Sequence, residues 1–112
     1  MAPEPRLTAD FWVDAYLSRL RLADIPVFLR ARGDATAGAV LVKLNTLDGN
    51  AILFQRVMTA SGKREWVELA GGEDATVEDA LSRQLGYDPD LWVLEVEDAR
   101  GRTLLDEPGL NM

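Results

Sequence analysis

The sequence predicts one α+β domain in the order α-β-β-β-β-α-β, with two helices flanking a mainly antiparallel sheet laid down as a meander. Three observations carry that reading. Apolar residues alternate with a period of two through residues 25–32 and 39–46, as in half-buried strands. Turn chemistry rich in glycine and aspartate separates the central strand-like segments. Helical spacing of apolar residues appears only outside that block, at 8–22 and 76–86, which places helices beside grouped strands.

Thr8 reads as an N-cap, with Leu7 before it and Asp10 in the first turn. The first helix runs to about Leu22 and stops before Ile25-Pro26. Asp10, Asp14, Ser18 and Arg21 share a polar stripe; Trp12, Ala15 and Tyr16 lie opposite, and Arg19 lies anomalously with them. In 25–32, Val27, Leu29 and Ala31 point one way and Phe28, Arg30 and Arg32 the other. The next strand sets Val40, Val42 and Leu44 on one face. Between these two strands lies Gly33-Asp34-Ala35-Thr36-Ala37-Gly38, expected to be a hairpin loop. Arg32-Gly33-Asp34 is the tripeptide of adhesion ligands, but here it opens a turn. A phosphate cradle would open onto a helix, and a strand follows instead.

Asp48-Gly49 is a two-residue hairpin signal whose register sets Leu44 opposite Leu53, Val42 opposite Gln55 and Val40 opposite Val57. A turn at Ser61-Gly62 sets Arg56 opposite Glu68, Val57 opposite Val67 and Met58 opposite Trp66. Gly71-Gly72 is expected to end the meander. The second helix then starts at Thr76, with Asp79 at N3, turns Val77, Ala80, Leu81 and Leu85 inward, and stops at Gly86. After Asp88-Pro89-Asp90 comes the last strand, 91–98, and a short return through Thr103-Leu104-Leu105. Pairing of the last strand with the first or the fourth is left open.

Composition narrows the chemistry. The 112 residues suffice for a core without staples, and the segments 1–6 and 107–112 are expected to be flexible ends. There is no Cys and no His, which removes disulfides, thiolate sites, the commonest zinc ligand and the Ser–His relay. The N-terminal stretch lacks an apolar secretory core, and no apolar run approaches the roughly 18–20 residues of a membrane span. A cytoplasmic, membrane-free protein without cofactors is the expectation. The net charge is −7, arising from nine basic and six acidic residues in 1–64 and three basic and thirteen acidic residues in 65–112. That acidity disfavours non-specific nucleic-acid binding.

The segments "RLTADFWVDAYLSRL", "RGDATAGAVLVKLN" and "YDPDLWVLEVEDARGRTLLDE", in this order and spanning nearly the whole chain, resemble domain-of-unknown-function family 1491, a set of small alphaproteobacterial proteins. The resemblance implies a compact cytoplasmic α/β domain and supplies no catalytic residues.

Three groups of residues invite a functional reading. Phe28, Arg30, Lys43, Phe54 and Arg56, with Arg32 at the strand end, would form a basic, partly aromatic sheet face able to take a phosphate-bearing partner or a nucleic-acid strand. Pairing of these cations with Glu95, Glu97 and Glu68 in the same sheet is the structural alternative, and the commoner one. Glu95 and Glu97, about 6–7 Å apart on one strand face, are the weak metal-site candidates for a Mg²⁺-dependent hydrolase. Trp12, Tyr16 and Arg19 form a helix-face cluster in which arginine stacks on an aromatic ring, satisfies an acidic partner, or lines a pocket. With no catalytic motif, the expected function is a non-enzymatic interaction or self-association module, its partner another protein or a second copy. The alternative is ligand or nucleic-acid binding at the basic face.

Overall fold

Helix α1 (Ala9–Leu22) forms where the capping pattern places it and ends in a left-handed Asp24 (φ 58°), with Ile25 N–H reaching back to Leu20 O at 2.9 Å. Thr8 precedes it in extended conformation, but its hydroxyl donates to Asp10 Oδ1 rather than capping the backbone. The computed structural model describes residues 7–108 and 110. The expected flexibility of 1–6 falls outside them, as do 109, 111 and 112 at the other end. Next come β1 (Val27–Ala31), β2 (Val40–Asn45), β3 (Asn50–Met58), β4 (Arg64–Glu73), α2 (Asp74–Tyr87) and β5 (Trp92–Glu97). The element order is as expected. Helix α2 begins earlier, directly after β4, and the Gly71-Gly72 pair expected to end the meander lies inside that strand.

The sheet is mixed, in the order β1-β5-β2-β3-β4. β5 pairs antiparallel with β1 and parallel with β2, and the other pairings are antiparallel. The expected hairpin between the first two strands is therefore corrected: β5 lies between them. The physical reason is burial. Trp92, Val93, Leu94 and Val96 are at most 2% exposed, so β5 presents apolar groups to both faces and belongs inside a sheet.

The loop 33–38 consequently arches over the start of β5. Asp34 N–H donates to Asp90 O (3.0 Å), Trp92 N–H to Ala39 O (2.9 Å) and Trp92 Nε1–H to Asp34 O (2.8 Å). Asp34 accepts from Thr36 N–H and Ala37 N–H, which folds the loop on itself. At Gly33 a Cβ would lie 2.6 Å from the Leu91 carbonyl carbon and from Trp92 Cδ1, so close backbone approach requires glycine.

Two registers also differ from expectation. Leu44 faces Ile52 and Val42 faces Phe54, one residue away from the two-residue turn predicted at Asp48-Gly49. The turn takes one more residue: Leu47 (φ 63°) and Gly49 (φ 89°) are both left-handed, with Asp48 Oδ1 accepting from Thr46 Oγ1 and Asn50 N–H. A one-residue slip exchanges faces, so Phe54 joins the side of Val42. In the next hairpin Arg56 faces Trp66 and Met58 faces Arg64, with Thr59 N–H donating to Lys63 O at 2.7 Å. That is a two-residue slide, which preserves the faces. A register break between Leu53 and Phe54 follows.

Both faces of the sheet are covered. On one, α1 packs Trp12, Val13, Tyr16 and Leu20 on Val42, Leu44, Leu94 and Val96, joined by Leu105 and Leu110. On the other, α2 packs Val77 and Leu81 on Leu41, Leu53 and Val93. No helix among the described residues is long and apolar enough to cross a membrane.

Candidate functional site

The strand run 40–45 is apolar except for Lys43 and its terminal Asn45, and the parallel register sets Lys43 beside Glu95. Both residues point to the α2 face, where Lys43 is only 1% exposed. Burying an ammonium is costly unless it is matched. The match comes from the helix: Asp74 and Glu78 lie one turn apart on α2, in the same inward stripe as Val77 and Leu81. Lys43 Nζ lies 2.6 Å from Asp74 Oδ1, 2.7 Å from Glu78 Oε1 and 3.7 Å from Glu95 Oε1. Arg30 closes the cluster, 2.6 Å from Glu78 and 2.9 Å from Glu95.

Protonation follows from this geometry. Burial alone would push the Lys43 ammonium down, but the carboxylates of Asp74, Glu78 and Glu95 outweigh it and its pKa is raised. The Glu78 carboxyl is held below its ordinary 4.5, first by Arg30 and then, against some desolvation, by Lys43. Lys43 therefore offers no neutral amine and Glu78 no proton near pH 7. The cluster suits charge matching rather than acid–base chemistry.

The other candidates are dispersed. Phe28 stands 52% exposed on the outer strand β1. Arg32 lies over the Trp92 ring, 5.3 Å from its centroid. Phe54 and Arg56 are on the opposite face from Lys43, with the Arg56 guanidinium 5.4 Å from the Trp12 ring and 5.6 Å from that of Trp66. The residues expected to form one basic face are thus divided between two faces and an edge. The Arg56–Glu68 cross-strand pairing is replaced by Arg56–Trp66, and burial lowers the pKa of that guanidinium, helped by the neighbouring Arg64.

Glu95 is engaged by Arg30, Lys43 and Asn45, and Glu97, at the end of β5, is the register partner of Asn45 on β2. Among the described residues there is no group of three or more acidic, His or Cys side chains arranged to hold a metal.

Trp12, Tyr16 and Arg19 do come together, as a clasp on the C-terminal segment. Trp12 Nε1–H donates to Leu110 O (2.8 Å), Tyr16 O–H to Thr103 O (2.7 Å) and Arg19 to Glu107 (3.0 Å). Burial pushes the Tyr16 phenol up, which keeps it a donor. Asp74 and Glu78 are the residues that sequence reasoning missed. Their signal was present: two carboxylates in an apolar helical stripe, matching one lysine in an apolar strand.

The fold and its buried ionic cluster define a small α+β domain with a five-stranded mixed sheet covered on both faces. The family model "Protein of unknown function (DUF1491)" matches residues 7–106, and the chain belongs to that family. It is similar to a DUF1491 family protein from Caulobacter crescentus, known from a crystal structure (36% identity, TM-score 0.84), with 92% of this chain and 98% of that one covered. The NMR structure of a DUF1491 family protein from the same organism gives 36% identity and a TM-score of 0.80, over 94% and 97%. Protein Atu0922 from A. tumefaciens is more distant, at 26% identity and a TM-score of 0.70 over 83% and 86%. No match was found among curated proteins.

Proposed function

We propose that this domain is a non-enzymatic interaction module and that its contact is the outer edge of β1, paired antiparallel with β1 of a second copy. The observation that carries the reading is the difference between the two sheet edges. Along β4, the exposed Glu65, Glu68 and Glu73 guard the edge against strand addition. Along β1 the exposed side chains include Phe28 (52%) and Leu29 (42%), and the one charge, Arg30, is tied inward to Glu78 and Glu95. A two-fold axis beside Leu29 would set Leu29 on Leu29 and each Phe28 across from the neutralised Arg30 of the other copy. Such an isologous pairing closes, whereas β1 on β4 would propagate.

A pairing of the basic half of one copy with the acidic half of another is less favoured, because Arg30 and Lys43 already meet their acidic partners within the chain. Each copy carries −7, so screening should strengthen the pairing. Sedimentation equilibrium at low and high salt is the test. A dimer that persists or grows with salt, and is abolished by Leu29→Glu, supports the proposal. A wild-type monomer at every concentration and salt overturns it.

A further inference from the structure

We infer that the outer stripe of α1 is a second contact surface, and that its partner is α1 of another copy, laid antiparallel alongside it about a two-fold axis. At 100° per residue, Phe11, Ala15, Ser18 and Leu22 fall within about 60° of arc. The helix turns Trp12, Val13, Tyr16 and Leu20 to the core, so this stripe lies on the side away from the sheet. Its ends are apolar and open to water, with Phe11 60% and Leu22 85% exposed. Exposed apolar residues scattered singly are ordinary. These two are set apart by their arrangement.

Spacing, symmetry and charge all fit a second copy. The steps between the four residues are four, three and four, the rhythm of a helix–helix seam. Phe11 and Leu22 are equidistant from a point between Tyr16 and Leu17, and so are Ala15 and Ser18. A two-fold axis at that level sets Phe11 on the partner's Leu22 and Ala15 on the partner's Ser18. The small pair at the centre lets the helix axes approach, and the large pair closes each end. Along one flank of the stripe run Asp10, Asp14 and Arg21. Antiparallel pairing turns this flank toward its own copy, which brings the partner's Arg21 between Asp10 and Asp14. The side chains of Asp14 and Arg21 have no ion pair or hydrogen bond among the described residues. Arg19, on the other flank, is already held by Glu107.

A single 14-residue helix covers far less than the roughly 1,600 Å² of a standard complex, so the contact is transient and leaves dilute protein unchanged. It does not rest on the β1 pairing. Where that pairing forms, a second two-fold surface joins pairs into larger assemblies.

The chain has no cysteine, so single thiols report cleanly. Full-length Phe11→Cys and Leu22→Cys, both carrying Leu29→Glu to remove any β1 association, are treated at the concentration of an NMR sample with a rigid bismaleimide. Its reach of about 10 Å is comparable to the interaxial distance of packed helices. The pairing sets position 11 beside position 22 of the other copy, but holds 11 from 11, and 22 from 22, about 16 Å apart along the axis. The mixture should cross-link as the heterodimer, identified by its mass, and each variant alone should give severalfold less. Adding Arg21→Glu should lower the mixed yield about threefold, whereas the same charge change at the exposed Arg83 on α2 should leave it unchanged. Three outcomes overturn the inference: no cross-link in the mixture, equal yields in the mixed and single samples, or a yield that Arg21→Glu and Arg83→Glu affect alike.

Discussion

On the α1 face, two buried polar groups from the helix are neutral and singly matched: the Trp12 indole with Leu110 O and the Tyr16 hydroxyl with Thr103 O. On the α2 face, the sheet brings Lys43 and Glu95 under the helix, and Asp74, Glu78 and Arg30 complete a five-member ionic cluster. Both solutions close a helix onto the same sheet, but they fail differently. Losing one neutral hydrogen bond strands one group. Losing the central cation leaves three carboxylates confronting each other with only Arg30 to answer them.

The largest expected effect breaks the α2 face. Lys43→Met should cost about 3 kcal/mol in urea unfolding, below the upper range for broken buried pairs because Asp74 and Glu78 keep access to water. Next comes the crossing on which both faces depend. Gly33→Ala should cost about 2 kcal/mol, because its Cβ meets backbone and the start of β5 must move. Tyr16→Phe, which removes one neutral bond from the α1 face, should cost about 1 kcal/mol by the same measurement. Arg19→Ala should cost no more than about 0.5 kcal/mol and be insensitive above moderate salt, since the Arg19–Glu107 pair is 43% and 40% exposed.

Acid sharpens the contrast. A carboxyl whose folded pKa is depressed stabilises above its ordinary value and loses that contribution as pH falls through the folded value. Glu78 is such a group, with an ordinary value of 4.5. The stability gap between the wild type and Glu78→Gln should therefore be constant near neutrality and shrink progressively below pH 4.5. Tyr16→Phe should show no such acid dependence, as its partner is a backbone carbonyl. A gap that stays constant into acid would mean that the cluster contributes nothing through charge.

The two edges of the sheet extend the comparison. β4 carries three exposed glutamates, whereas β1 offers Phe28 and Leu29. If the edge reading holds, Leu29→Glu should remove association while leaving the melting temperature within a few degrees of wild type, because Leu29 is 42% exposed.

Element order, α1 and its buried stripe, and the helix-face trio Trp12, Tyr16 and Arg19 were legible in the sequence, because local periodicity and capping are written in neighbouring residues. The registers were less so. One additional left-handed residue at Leu47 moves Phe54 to the other face, and the amino acids alone leave a two-residue and a longer turn at Asp48-Gly49 too close in energy to separate.

The placement of β5 between β1 and β2 was beyond local reasoning, since strand pairing is a non-local choice set by which strand must be buried on both sides. The candidate sites depend on that choice. Lys43, Asp74, Glu78 and Glu95 are spread over more than fifty positions, and only insertion of β5 beside β2 brings the lysine and glutamate side by side under α2. The sequence by itself determined which segments are helices and strands, because backbone preference and apolar period are local. Tertiary structure alone decided which charges meet and which edge stays bare, because both follow from strand order.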